Sequence, residues 1–337
     1  MGNATIYDVS ELAQVSIATV SRVLNSPDQV SEETRSRVIA AIDELGFVPK
    51  FEALTRARKA IGRIGILTPS FTSDSFVDRL RGLITALSGM AYEPVIYDVH
   101  SAAQRDGYLT NLPMSRQVDG LIAIDLSIDE TAVERLLKYK LPTVQIVPSS
   151  QSSISRDLTT IIHDDKEGGR MAAEHLLAKG HRKLGYVGDI SQPEYLGTFK
   201  DQKLDTFRQT LAINGVALPD DYVRLGPFGL ESARQLTHPL LAMPSPPTAI
   251  FAGSDTQAIG AMRAVHESRL NVPADVAVMG FDDIEVAAYI GLTTIRQQLK
   301  ESGHLAVSLL LELLEQGEDR AVQSISLPFA LMERDTT

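Results

Sequence analysis

Three hydroxyls and one guanidinium fall within the N-terminal segment Ser16-Ile-Ala-Thr-Val-Ser-Arg-Val-Leu-Asn25: Ser16, Thr19, Ser21 and Arg22. Hydroxyls at a helix N-terminus, beside backbone N–H groups that lack partners, suit phosphate oxygens. Arg22 can take a guanine through two hydrogen bonds, while Ile17 or Ala18 can touch a thymine methyl. Val20, Val23 and Leu24 would then face the helices behind. The same residues also suit a protein-binding helical hairpin with a solvated Arg22. Further along, Asp255 opens a helix after an apolar strand, and Asp282 follows Gly280-Phe281 in a similar place. Such positions lie at the carboxyl edge of a parallel sheet, where ligands bind. Paired carboxylates there accept hydrogen bonds from the hydroxyls of a polyol or sugar, or else cap helix N-termini. His163-Asp164-Asp165 is a weak metal signature, and helix capping by Asp164 explains it better. His175 and His181 read as surface or packing residues. No phosphate loop, nucleophile elbow or dinucleotide fingerprint is present, so nothing in the chain points to an enzyme.

Two kinds of element must position these groups. Over the first sixty residues, Thr5-x-x-Asp8 reads as a capping box for a helix with Val9, Leu12 and Ala13 on one side. Ser16 caps a second helix, Ile17 to Leu24, and Ser31-Glu32-Glu33 opens a third carrying Val38, Ile39, Ile42 and Leu45, with Gly46 after its end. Three short helices joined by a tight turn make a helix-turn-helix module. From Ile61 onward, apolar strands such as Ile64–Thr68, Gly120–Ile124, Leu184–Gly188 and Ala249–Ala252 alternate with amphipathic helices. That alternation predicts parallel, doubly wound sheets. Arg63-Ile-Gly-Ile-Leu and Lys183-Leu-Gly-Tyr-Val mark two similar halves.

Composition narrows the classes. The 337 residues include no Cys, which excludes thiol nucleophiles, disulfides and Cys-ligated metal, and no Trp for a sugar-stacking platform, a role left to Phe or Tyr such as Tyr195, Phe251 and Phe281. Mean hydropathy is −0.01. No signal peptide or membrane span is evident, and a cytoplasmic protein is expected. The net charge of −11 argues against nucleic acid only when averaged. Residues 1–60 hold seven basic and eight acidic groups, and Lys50–Arg63 holds five basic residues against Glu52 alone. A basic strip thus joins a near-neutral head to an acidic body.

Together, Thr5-Ile-Tyr-Asp-Val-Ser-Glu-Leu-Ala, Val15-Ser, Thr19-Val-Ser-Arg-Val-Leu-Asn25 and Leu45-Gly-Phe-Val-Pro49 resemble the N-terminus of the lactose-repressor (LacI/GalR) family of bacterial regulators. Asp164-Asp165-x-x-Gly168-Gly169, Gly280-Phe-Asp-Asp283 and Leu292-Thr-Thr-Ile-Arg-Gln297 are similar to that family's effector-binding core. The resemblance implies a small all-α helix-turn-helix head over 1–48, a hinge over 49–61, and an α/β periplasmic-binding-protein-like core of two doubly wound lobes over 62–337. Lobe 1 would comprise about 62–159 plus 292–322, and lobe 2 about 160–291 plus 323–337. It further implies a homodimeric repressor of double-stranded operator DNA, with a small effector such as a sugar between the lobes and no cofactor. Rival readings are control by a protein co-regulator and a solute-binding protein without a DNA role. The DNA-facing set implied is Thr5, Tyr7, Ser16, Ile17, Ala18, Thr19, Ser21, Arg22, Asn25, Lys50, Ala53, Leu54 and Arg56. The effector set is Phe71, Ser73, Phe76, Lys203, Asp255, Phe281 and Asp282, with core packing as an equal alternative for Phe71 and Phe76. By family position, Asp255 faces ligand and Asp282 is structural.

Departures from the family pattern are specific. Gln14 stands where Gly is usual; a left-handed backbone there would cost on the order of 1 kcal/mol. In the hinge, Lys50 replaces Asn, and Arg56 sits where a Leu would wedge into the central base step. Either Leu54 supplies the wedge from a shifted register, or Arg56 enters a narrowed minor groove electrostatically; a plain charged linker is the third reading. Clustering of Arg56, Arg58 and Lys59 favours the groove-bound Arg. Lys203 replaces an Arg, exchanging a planar fork for a point charge. The Leu305–Leu314 helix lacks a heptad tail after it, so a dimer is expected. If Arg22 reads guanine, Arg22→Ala should cost about 1–3 kcal/mol of operator binding and relax preference at one base per half-site. Equal losses across a library of sequences would assign Arg22 to phosphate instead.

Overall fold

A computed structural model of the chain describes residues 4–25, 27–47, 61–69, 71–149, 156–190, 202–316 and 322–337. Lys50, Ala53, Leu54, Arg56 and Tyr195 lie outside these residues. The head consists of α1 (Ile6–Leu12), α2 (Ile17–Asn25) and α3 (Glu32–Leu45). The Thr5–Asp8 capping box forms, Ser16 Oγ accepts from Thr19 N at 3.1 Å, and Ser31 caps α3. Gly46 ends α3 in the left-handed conformation at φ 60°. Gln14 is also left-handed, at φ 53°, so the strain expected of a non-glycine residue in this turn is present. Val9, Ala13, Val20, Val23, Val38 and Ile42 make the head's core. Leu12, expected on that core's side, is instead 43% exposed. Helix α1 is only two turns long, and Val9 and Ala13 fill its contact with the other helices.

The body holds two six-stranded sheets. The first is ordered β11-β5-β4-β3-β1-β2, with β1 Gly62–Thr68, β2 Tyr92–Asp98, β3 Gly120–Ile124, β4 Thr143–Pro148, β5 Thr159–His163 and β11 Ser324–Ser326. The second is ordered β12-β10-β9-β8-β6-β7, with β6 Leu184–Asp189, β7 Val223–Gly226, β8 Ala249–Ala252, β9 Ala277–Asp282, β10 Thr293–Arg296 and β12 Ala330–Met332. All pairings are parallel except β10 with β12. Strands β3, β4 and β9 are buried throughout, because helices cover both faces of a parallel sheet. The helices are α4 (Asp74–Leu87), α5 (Ala102–Ser115), α6 (Glu130–Lys138), α7 (Asp165–Ala178), α8 (Gln202–Ile213), α9 (Leu230–Leu241), α10 (Asp255–Glu267), α11 (Glu285–Tyr289) and α12 (Leu299–Gln316).

The lobe boundaries read from sequence need correction. β5 pairs with β4 in the first sheet, so the first crossing lies between His163 and Asp165, not near 160. β10 pairs with β9 in the second sheet, so the return crossing follows Arg296, not residue 291. β11 pairs with β5, so the last crossing follows Ser326, not residue 322. Each crossing strand completes the sheet it is leaving, and a short strand such as Thr159–His163 carries no mark of which sheet it joins. Helix α5 also went unread, because Gly107 and Pro113 inside it are helix breakers by propensity.

Helices α4 and α12 lie back to back on the first sheet, and two glycines set their separation. A Cβ on Gly82 would lie 2.0 Å from the Lys300 carbonyl oxygen, and one on Gly303 would lie 2.1 Å from that of Arg79. Backbone cannot yield as a flexible side chain does, so Gly303→Ala should destabilise the fold by about 1–3 kcal/mol in urea unfolding. Gly107→Ala, with open space at its Cβ, should instead be neutral or stabilising by up to about 1 kcal/mol.

Candidate functional site

Two surfaces bring polar residues together. On the head, Val20, Val23 and Leu24 of α2 are buried, while Ile17, Ala18, Ser21 and Arg22 are exposed. The segment therefore presents one face of methyl, hydroxyl and guanidinium groups. Ser16 and Thr19 hydroxyls bond each other at 2.9 Å at its N-terminus. Asn25 closes the helix. Tyr7 stands exposed on α1. The Thr5 hydroxyl is engaged by Asp8 at 2.7 Å, and that hydrogen bond lowers the Asp8 pKa.

The second surface is the cleft between the lobes. Charged groups at the carboxyl ends of its strands form a ladder across the first crossing. Arg79 of α4 donates to Ser302 Oγ at 3.1 Å and to Asp125 Oδ2 at 3.1 Å. Asp125, just past β3, faces His163 Nε2 at 3.1 Å through its other oxygen. His163 Nδ1 faces Asp165 Oδ1 at 3.3 Å. Asp165 lies in the field of Lys203, whose Nζ donates to the Gly253 carbonyl at 3.0 Å and sits 4.4 Å over the Phe281 ring. Below lies a small cavity lined by Arg79, Ile146, Ile161, His163, Gln297 and Phe329, among others.

Both ring nitrogens of His163 meet carboxylates, which only accept, so the doubly protonated imidazolium alone satisfies both bonds. Burial pulls its pKa down, but the bonds to Asp125 and Asp165 outweigh it and lift the value to about 9. For Asp125, desolvation pushes upward and is outweighed by Arg79 and His163, leaving about 2. Asp165 is likewise lowered, with Lys203 and His163 overcoming desolvation.

The predicted effector residues divide. Asp255 is fully buried; its Oδ2 accepts from Ile284 N at 2.8 Å and its Oδ1 from Thr294 Oγ1 at 2.5 Å. Ser254, not Asp255, caps α10. Desolvation, then the nearby Asp282, raises the Asp255 pKa well above the usual range. Asp282 ends β9 in a strained backbone at φ 115° and accepts from Gln297 Nε2 at 2.7 Å. Desolvation, partly offset by Lys203 and Gln297, brings it to about 7. Both carboxylates are buried: Asp255 is held within its lobe by two donors, and Asp282 stands beside Lys203 and the crossing. Phe76 packs with Ile64, Ile66 and Ile122 in the first lobe's core, the packing alternative, and Phe281, expected as a stacking platform, is buried in the second lobe's core. Phe71 and Ser73 lie at the start of α4; Phe71 is exposed, and Ser73 makes no side-chain capping bond. Across the cleft edge, Thr256 donates to Asp74 at 3.1 Å and Arg81 pairs with Glu285. Asp164 caps α7 as expected, while His175 and His181 bond Thr337 and Thr248. Sequence reading missed Arg79, Asp125, Gln297 and the linking role of His163. The available signal was polar residues immediately after apolar strands, as in Gly-Leu-Ile-Ala-Ile-Asp125.

Residues 5–50 match the family described as bacterial regulatory proteins, lacI family, and residues 173–337 match the periplasmic binding protein-like domain. The chain is 31% identical to the ribose operon repressor of Escherichia coli strain K12 over 98% of this chain and 99% of that one. It superposes on the lac repressor dimer bound to operator and the anti-inducer ONPF with TM-score 0.69 at 30% identity, covering 99% of each chain. A regulator named CelR, in complex with cellobiose, gives TM-score 0.69 at 27% identity, over 99% of this chain and 100% of that one.

Because folding holds the His163 proton up to about pH 9, against 6.5 for a free histidine, its stabilisation is full below about pH 6.5 and fades as pH rises through 9. His163→Gln should cost about 3 kcal/mol near pH 6, with the gap to the parent protein closing above pH 9 in urea unfolding. A gap independent of pH would rule out the imidazolium.

Proposed function

The chain belongs to the lacI family of bacterial regulatory proteins, and from that premise we propose that it is a homodimeric repressor whose operator affinity is set by a small polyhydroxylated effector bound between its lobes. It is a DNA-binding transcriptional regulator with a periplasmic-binding-protein-like body. The observation that carries the effector reading is Asp282. Its carboxylate sits among the crossing residues with Gln297 on one oxygen, and its ionised form is disfavoured by burial until a donor arrives. A sugar hydroxyl supplies that donor. Support also comes from the named relatives, which include a ribose operon repressor and a regulator complexed with cellobiose. Lys203 adds a point charge against Asp165 and can orient a ring oxygen or hydroxyl.

Helix α2 is the reading helix in this proposal, with Ile17, Ala18 and Arg22 at base edges and Ser16, Thr19 and Ser21 near phosphates. The protein would act in the cytoplasm, where the operator is. In this proposal the cleft is a binding site, in keeping with the regulator family; His163, engaged at both nitrogens as an imidazolium, has no lone pair with which to act as a base. Ile84, Ile96, Phe228 and Leu230, all apolar and exposed, supply surface for a second copy.

Selection of genomic fragments by the purified protein should enrich a near-palindrome, and its neighbouring genes nominate the sugars to add. Asp282→Asn should leave operator selection intact, cut the response to the active sugar at least about tenfold, and stabilise the ligand-free fold at pH 7 by removing a buried charge. A variant that responds as the parent does would remove Asp282 from the effector site.

A further inference from the structure

The head is not separate from the body. Asp43, near the C-terminal end of α3, reaches α6 of the first lobe. Its Oδ2 accepts from Arg135 Nη2 at 2.9 Å, its Oδ1 from the Tyr139 hydroxyl at 3.0 Å, and its backbone carbonyl from Lys138 Nζ at 2.9 Å. Around this cluster, Met114 from the end of α5 and Tyr139 are buried in the same apolar cluster as Val20, Val23, Leu24 and Ile42 of the head. Burial, then Asp43, raises the Tyr139 pKa, as befits a phenol that keeps its proton to donate. The face docked is the one opposite the exposed Ile17, Ala18 and Arg22, so docking leaves the reading face open.

Helix α6 has a second connection. It begins at Asp129, which caps it by accepting from Ala132 N at 2.8 Å, only four residues after Asp125 of the charge ladder. The intervening loop is held: Asp125 N donates to Ile146 O at 2.9 Å, Gln145 Nε2 donates to Leu126 O at 3.0 Å, and Leu126 and Ile128 are buried. One short rigid path therefore runs from Asp125 in the cleft to Arg135, Lys138 and Tyr139 under the head.

We propose that Asp43 docks the head on α6 in a fixed pose, and that α6 carries the state of the cleft to the head without passing through residues 49–60. Asp43, Arg135 and Tyr139 are then positioning residues for operator binding. The coupling half of the proposal rests on the reading of the cleft as effector site and of α2 as reading helix; the docking half does not. A switch of this kind needs a discrete contact that both sites bias, and a half-buried carboxylate held by Arg135 and Tyr139, with Lys138 on the same residue's backbone carbonyl, is such a contact.

The test uses hydrogen exchange and operator binding on the full chain. Asp43→Asn and Arg135→Gln should each accelerate exchange in both α3 (32–45) and α6 (130–138), about tenfold, and act non-additively when combined. Each should weaken binding of the selected operator fragment by about tenfold through loss of the fixed pose. Tyr139→Phe, which removes one of the two donors to the Asp43 carboxylate and keeps the buried ring, should accelerate exchange in both helices by a smaller factor than Asp43→Asn, a graded response that a merely unfolded head would not give. Asp125→Asn should alter exchange in α3 in the parent chain and not in the Arg135→Gln background. Exchange changes confined to the mutated element, or a Tyr139→Phe variant that leaves exchange in α3 unchanged, would overturn docking. Intact docking with unchanged operator affinity, or an Asp125→Asn effect that survives Arg135→Gln, would overturn transmission through α6. Absence of any selected operator for the parent protein would count against α2 as reading helix, while exchange would still decide the dock.

Discussion

His163 leaves the first sheet with Asp125 on one ring nitrogen and meets Asp165, the first residue of α7, with the other. The chain crosses between lobes at this point, so the imidazolium ties the two lobes by charge where they are already tied by backbone. In surroundings partly closed to water, alternating charges hold one another more tightly than they would on a surface. Arg79 extends the ladder into α4 and Lys203 extends it into α8. The relative setting of the lobes then depends on a few discrete contacts, and packed elements held in that way shift between arrangements instead of deforming smoothly.

Asp282 is the end of the ladder left with the least compensation. Asp255, close by, illustrates the alternative: two donors, full burial and no route to the cleft. The contrast follows from backbone position. Asp255 opens a helix whose cap is already provided by Ser254, so its side chain turns inward to β10 and the loop after β9. Asp282 ends a strand in a left-handed conformation that only the surrounding packing can enforce, and strain of that kind is concentrated at binding sites.

The head shows the same economy of contacts. Thr5, Ser16 and Ser31 satisfy helix ends with side chains from one residue before each helix, which leaves the buried face of α2 free to be wholly apolar. Gln14 keeps the turn between α1 and α2 left-handed despite having a side chain, so the packing of Val9 and Ala13 against Val20 and Val23 must outweigh about 1 kcal/mol of strain. Docking through Asp43 then gives the head a second attachment to the body.

Local physics settled much of this protein in its sequence. Caps, apolar periodicity and the alternation of strand and helix depend on neighbours within a few residues, and so the three head helices, the exposed side of α2 and the doubly wound lobes were legible. The charge split between head and body was legible for the same reason. Residues that meet only through long-range pairing were not. Thr159–His163, Thr293–Arg296 and Ser324–Ser326 are short, and only their hydrogen-bonded partners assign them to a sheet. The same holds for function. Asp255 and Asp282 look equivalent in sequence, both placed after an apolar strand, and burial together with donor geometry separates them. Asp125, His163 and Asp165 become one ladder, and Asp43 meets Arg135 across 92 residues, because tertiary packing removes water around groups that nothing local brings together.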